Sequence, residues 1–175
     1  ATYMLGTVDS NDLCYLGGIP AAELKDVFGI IAPHHSHIDR LKKDINNNPD
    51  IIKEDLCIDT VDKFQGQQRD AVIVSYGVSD IERIAVQKEF IYSRNRLNVS
   101  LTRARFKNIV FLSKALMNPP LEVLSSKDED LQKGVKFVTG FLAFMENAEA
   151  DSEVSKREFA FGNVKVTVYR KRIKQ

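Results

Sequence analysis

Two arginines one residue apart, Arg103 and Arg105, close the run RNRLNVSLTRAR at 94–105. A guanidinium stays charged at any biological pH, and its planar fork of donors matches paired phosphate oxygens. Earlier in the chain, TVDKFQGQQRD at 60–70 sets Gly66 among Gln65, Gln67 and Gln68. Glycine lets backbone approach a ligand closely, and glutamine amides donate and accept hydrogen bonds without adding charge. Glycine, amides and arginines of this kind suit a phosphate group. Arginine also gathers at helix C-termini, where it complements the dipole, so spacing alone leaves a structural role open beside the phosphate-binding one. A third cluster is His34, His35 and His37 with Asp39. Imidazole and carboxylate are zinc ligands, but neighbours on a helix point apart and no distant histidine completes a set. No metal site is expected. His34 is the better candidate for stacking on a nucleobase.

Short apolar runs alternating with helical patterns must position these residues, a rhythm that predicts parallel strands joined by crossover helices. Strands are expected at 27–32 (VFGIIA, ended by Pro33), 56–59, 71–76 and 108–113. From His37, the spacing of Ile38, Leu41 and Ile45 predicts a helix that stops in NNNPD. Strands apolar on both faces imply an α/β sheet covered by helices. Gly66 is expected at the carboxyl end of a parallel strand, where open α/β sheets bind ligands. In RNRLNVSLTRAR, Leu97, Leu101 and Ala104 form one helical stripe, while Arg96, Ser100 and Arg103 share an adjoining face. Arg103 and Arg105 are then expected to end that helix, with at least one guanidinium, that of Arg103, projecting past the carboxyl edge of the sheet.

The stretch at 125–147 predicts a capped helix packing through Leu131, Val135, Val138, Leu142 and Met145, widened by Phe137, Phe141 and Phe144. Residues 147–158 are polar and of mixed charge, a linker pattern. FAFGNVKVTVYRKRIKQ predicts a hairpin around Gly162-Asn163 whose basic end, Arg170, Lys171, Arg172 and Lys174, protects an edge strand. Residues 1–26 read as an edge strand or connector, 27–146 as the main domain and 147–175 as linker and hairpin. With 25 basic and 24 acidic residues the 175-residue chain carries a net charge of +1, so any nucleic-acid contact must be local. Cys14 and Cys57 lack metal-ligand spacing and read as free thiols in a reducing, intracellular setting. No apolar stretch approaches the roughly 20 residues needed to cross a bilayer, and no membrane contact is expected.

Three segments carry a resemblance. TVDKFQGQQRDAVIVS at 60–75 resembles motif V of superfamily 1 helicases, RNRLNVSLTRARFKNIVFL at 94–112 resembles motif VI, and GIIAPHHSHIDRLKKDI at 29–45 resembles motif IV. The likeness covers residues 27–116 and is nearest the 5′-to-3′ branch that holds the nonsense-mediated-decay helicase and the replication helicase-nucleases. It implies a three-layer RecA-like motor domain with a mainly parallel sheet flanked by helices, followed by a C-terminal helix and β-hairpin. Such a domain closes over ATP and Mg2+ held mainly by an upstream N-terminal RecA-like domain, and moves along single-stranded DNA or RNA. Carried over by position, Arg103 is implied as the arginine finger on the γ-phosphate. Gln65, Gly66, Gln68 and Arg105 are implied at the nucleotide, Thr60, Pro33 and His34 at the nucleic acid, and Arg96 in support of the motif VI helix or of the phosphate network. Gln68 stands where the family usually has glutamate, keeping shape and losing charge. Ile38 stands where some relatives have arginine, with Arg40 close by in sequence. No GxxxxGK[ST] phosphate cradle occurs in the chain, and no apolar run ends in the Asp-Glu pair that holds magnesium. The expectation is a piece of a longer enzyme, inactive alone, located in the cytoplasm or nucleus. The alternative is a non-catalytic nucleic-acid-binding or regulatory module derived from such a domain, which the missing charge at Gln68 encourages.

Overall fold

The computed structural model describes residues 2–5, 27–47, 56–146, 154–161 and 164–171. Contacts divide the chain into two interleaved bodies rather than blocks in series: 8–75 with 98–109, and 1–7 with 76–97 and 110–175.

The first body holds β2 (Phe28–Ile31), α1 (His35–Asn47), β3 (Cys57–Asp59), most of β4 (Arg69–Tyr76), the end of α4 (Arg94–Leu101) and the start of β5 (Ala104–Ser113). Its strand order is β3-β2-β4-β5, a mainly parallel arrangement. Strand β2 pairs in parallel with both β3 and β4, so that Ile31 lies opposite Asp59 on one side and Val74 on the other. One side of β2 meets α1. Ile30, Ala32, Ile38 and Ile58 form a buried cluster, with Phe28, Leu41, Ile45 and Ile73 packed against it. Ile38, Leu41 and Ile45 recur every three or four residues, so burying them on the sheet holds α1 in place. The helix starts slightly ahead of its apolar stripe because the His34 carbonyl accepts from the His37 and Ile38 amides, both at 3.0 Å.

In the second body the later part of β5 pairs antiparallel with β1 (Thr2–Leu5), which runs parallel to β7 (Val164–Lys171), itself antiparallel to β6 (Val154–Phe161). Strand β1, expected at an edge, is therefore flanked on both sides. The hairpin forms as expected, with Phe161 opposite Val164; Gly162 and Asn163 lie outside the described residues. Strand β6 begins at Val154, inside the stretch expected to be linker, because pairing with β7 satisfies backbone groups that polar side chains alone would leave to water.

The same body contains α2 (Ile81–Val86), α3 (Lys88–Ile91), the first turn of α4, α5 (Lys114–Met117), α6 (Leu121–Leu124) and α7 (Glu129–Glu146). Asp128 caps α7 by accepting from the Asp130 and Leu131 amides at 2.9 and 3.1 Å. Leu131, Val135 and Val138 are buried, as the helical stripe predicts, whereas Phe144 is largely exposed. The side chains of Leu142 and Met145 are outside the described set. Helix α7 crosses tightly at Gly134, where a Cβ would stand 1.8 Å from the Tyr92 carbonyl oxygen. Tyr92 is buried and donates its hydroxyl to the Leu116 carbonyl at 3.0 Å. No helix among the described residues is long and apolar enough to cross a membrane.

Candidate phosphate-binding site

Because β3 and β4 run the same way beside β2, the chain leaving the carboxyl end of β3 must travel back to the amino end of β4. Residues 60–68 make that return as a helical turn. The Thr60 carbonyl accepts from the Lys63 and Phe64 amides at 3.2 and 3.3 Å, Asp62 from Gln65 at 3.3 Å, and Phe64 from Gln67 at 3.0 Å. Gly66 then reverses the path with φ +80°, a region that costs other L residues about 1–2 kcal/mol. Phe64 pins the segment down. It is fully buried, and a Cβ on Gly29 of β2 would lie 2.7 Å from its Cε1. Gly29 is thus the seat for the phenyl ring, on the opposite side of β2 from α1. Gln65, Gly66, Gln67 and Gln68 remain exposed.

Helix α4 ends sooner than its apolar spacing suggests. The Arg103 amide donates to the Ser100 carbonyl at 3.3 Å, which tightens the last turn, and Asn108 Nδ2 takes the Leu101 carbonyl at 2.8 Å. Strand β5 starts at once, with the Arg69 amide donating to the Arg103 carbonyl at 2.9 Å. Ala104 and Arg105 are therefore strand residues, not the end of the helical stripe. Ser100, expected on an outward arginine face, is 1% exposed. Arg96, in the second body, stacks over the Phe90 ring at 4.4 Å.

The half-buried Arg103 side chain reaches the bend. Its Nε donates to the Val99 carbonyl at 3.0 Å, Nη1 to the Gln67 carbonyl at 3.4 Å and Nη2 to Thr102 Oγ1 at 3.3 Å. Arg105 points elsewhere and pairs with Asp70 at 3.2 Å, each side chain still well exposed. The expected juxtaposition of Arg103 with the glycine bend is present, but not at the expected rim. Both stand at the amino-terminal starts of β4 and β5, because the 60–68 segment crosses the sheet before it turns. Arg69 joins them and was not singled out by sequence reasoning. Its Nη1 donates to the Gln68 carbonyl and its Nη2 to Gln67 Oε1, both at 2.9 Å, and its guanidinium lies over the Phe64 ring at 5.8 Å. The signal for it was its place at the head of β4, directly after the bend.

Thr60, Pro33 and His34 gather at the other rim, by the carboxyl ends of β2 and β3. The Ala32 amide donates to the Asp59 carbonyl at 3.1 Å and draws these ends together. The buried Thr60 donates its amide to Asp59 Oδ1 at 2.8 Å. Nearby, His37 Nε2 lies 3.5 Å from Ser75 Oγ. Burial, with help from the Arg40 charge, holds the His37 imidazole below its ordinary value of 6.5. One segment thus runs from a rim bearing Pro33, His34 and Thr60 to a rim bearing Arg69 and Arg103.

The family model described as an AAA domain matches residues 15–115, more than half of the chain. The putative helicase mov-10-B.1 of Danio rerio is 32% identical over 96 residues, covering 50% of this chain and 9% of that protein. The DNA polymerase alpha-associated DNA helicase A of Saccharomyces cerevisiae is 37% identical over 82 residues, covering 47% and 11%. The DNA replication ATP-dependent helicase/nuclease JHS1 of Arabidopsis thaliana is 31% identical over 112 residues, covering 63% and 8%. The aligned part of the chain thus spans only about a tenth of the length of these relatives.

Proposed function

This chain belongs to the AAA domain family of superfamily 1 helicase motors, and from that membership we propose that it is the second RecA-like domain of an ATP-dependent nucleic-acid helicase or translocase. In this reading ATP and Mg2+ are held mainly by an N-terminal RecA-like domain of the same protein, and Arg103 is the arginine finger that neutralises charge building on the γ-phosphate. Gln65, Gly66 and Gln68 line the nucleotide side of the cleft. Arg105 acts at its margin, since Asp70 already balances its charge. Thr60, Pro33 and His34 touch single-stranded DNA or RNA, and the protein works inside the cell, in cytoplasm or nucleus.

The observation that carries the reading is the Arg103 guanidinium bonded to the Gln67 carbonyl beside Gly66. Little covalent chemistry falls to the protein in phosphoryl transfer, so charge held in position is the main contribution. The segment from Thr60 to Arg69 supports coupling, because its two ends serve the two proposed ligands and Phe64 fixes its middle.

The test is ATP turnover of the full-length protein, stimulated by single-stranded DNA or RNA in parallel. Arg103→Ala should lower turnover by about 10³-fold or more while leaving the thermal transition in place. Turnover retained within ten-fold removes the finger assignment and favours a non-catalytic module, the reading that the neutral Gln68 also suits.

A further inference from the structure

We propose that Arg69 is a second phosphate-binding residue, forming with Arg103 a two-guanidinium clamp around Gln67 that takes the doubly charged terminal phosphate of a nucleotide. The identity of the anion rests on the reading above; the clamp itself rests on how the two charges are compensated.

Guanidinium groups in folded proteins commonly pair with carboxylates, as the exposed Arg105 pairs with Asp70 at 3.2 Å. Arg69 and Arg103 do not. Among the described residues Arg69 meets only neutral groups, the Gln68 carbonyl, Gln67 Oε1 and the Phe64 ring. Arg103 likewise meets only the Val99 and Gln67 carbonyls and Thr102 Oγ1. Both guanidinium groups contact the same residue, Gln67, so two positive charges share one exposed bend with no carboxylate bonded to either among the described residues. An arginine carries five N–H donors. Among the described residues Arg69 uses two and buries its Nε without a partner; Arg103 uses three. Each therefore retains two donors for a ligand, enough for the bidentate grip that favours phosphate.

The local sequence keeps the site open. Gln67 is neutral, and a carboxylate in its place would stand where Gln67 Oε1 already meets Arg69 Nη2 at 2.9 Å and would quench the clamp. Phe64 and the Arg69 backbone bond to Arg103 hold the two arginines in one frame. The clamp would thus be formed before the ligand arrives, which lowers the ordering cost of binding. A terminal phosphate carries about two charges at neutral pH, by analogy with a phosphomonoester, and suits two guanidinium groups better than a singly charged phosphodiester.

The experiment titrates this chain at low ionic strength with inorganic tripolyphosphate, following the amide signals of Gly66, Gln67 and Arg69 by NMR. A phosphodiester oligomer, oligo(dT), is titrated in a parallel arm. Saturable shifts with tripolyphosphate are expected. Arg69→Ala and Arg103→Ala should each weaken binding about ten-fold or more, and Arg69→Lys should recover part of the loss. Gln67→Glu keeps both arginines and the bend but adds an internal carboxylate where Gln67 Oε1 meets Arg69, and should also weaken binding about ten-fold. Unchanged affinity in Gln67→Glu or in Arg69→Ala, no saturable shift, or tighter binding of oligo(dT) at the same amides would each overturn the clamp. Tripolyphosphate binding with these variant effects, alongside full turnover in the full-length Arg103→Ala enzyme, would support the clamp while removing the finger.

Discussion

Adding one methyl group at Gly29 probes how firmly the bend is held. In Gly29→Ala the new Cβ would sit 2.7 Å from Phe64 Cε1, 3.0 Å from Cζ and 3.3 Å from Arg69 Cγ. Carbon atoms in ordinary contact lie about 3.5–4.0 Å apart, so the ring must retreat by about 1 Å. It has no free space to retreat into, being fully buried, and the backbone beneath it is locked between β3 and β4. Overpacking of this kind costs about 1–3 kcal/mol. In a domain of this size that is a fall of about 2–12 °C in Tm, measured on the chain by calorimetry. Phe64→Leu removes the clashing edge of the ring at its own cost of about 1–2 kcal/mol. In the double variant the methyl group meets a shorter side chain, so the combined loss should fall short of the sum by about 1 kcal/mol. An unchanged Tm in Gly29→Ala, or strict additivity in the double variant, would refute the claim that Phe64 is seated on this glycine.

Gly134→Ala would ordinarily gain about 1 kcal/mol from helix propensity. Here the Cβ meets the Tyr92 carbonyl oxygen at 1.8 Å, so a loss of at least about 3 kcal/mol is expected in denaturant titration, and a more stable variant would disprove the close crossing. Gly66→Ala meets nothing within 4 Å, and its cost of about 1–2 kcal/mol comes from positive φ alone; Gly66→Asn should recover part of it. His37 has a lowered folded pKa, so the unfolded chain takes up the proton first as pH falls. Its contribution to stability is complete above pH 6.5 and is lost as pH drops from 6.5 through the lowered folded value. His37→Gln should flatten that part of the stability profile, and an unchanged slope would show that burial of the imidazole is not felt.

Much of the first body could be read directly from residue order. Ile38, Leu41 and Ile45 announced α1 because a helix buries every third or fourth residue, and Pro33 marked the end of β2 because it cannot donate to a ladder. The meeting of Arg103 with the Gly66 bend was legible because both carry chemistry that few other segments of the chain share. Which rim they occupy was not. A parallel strand pair needs a return crossing, and nothing local in TVDKFQGQQ says that the crossing comes before the glycine rather than after it; only the register of Asp59 and Val74 against Ile31 does. Ser100 was misplaced for a related reason, since a hydroxyl is small enough to be buried on a helix whose neighbours are arginines. Arg69 escaped notice because its partners are mostly backbone and amide groups, which leave no pattern in the order of residues.

The seating of Phe64 also has a mechanical consequence. With its middle held against Gly29, the 60–69 segment has a fixed pivot, so that a displacement at Thr60 would reach Gln67 and Arg69 as rotation about the ring rather than as sliding. Lengthening either arm by a single residue would leave the pivot in place and retune only the stroke at that end.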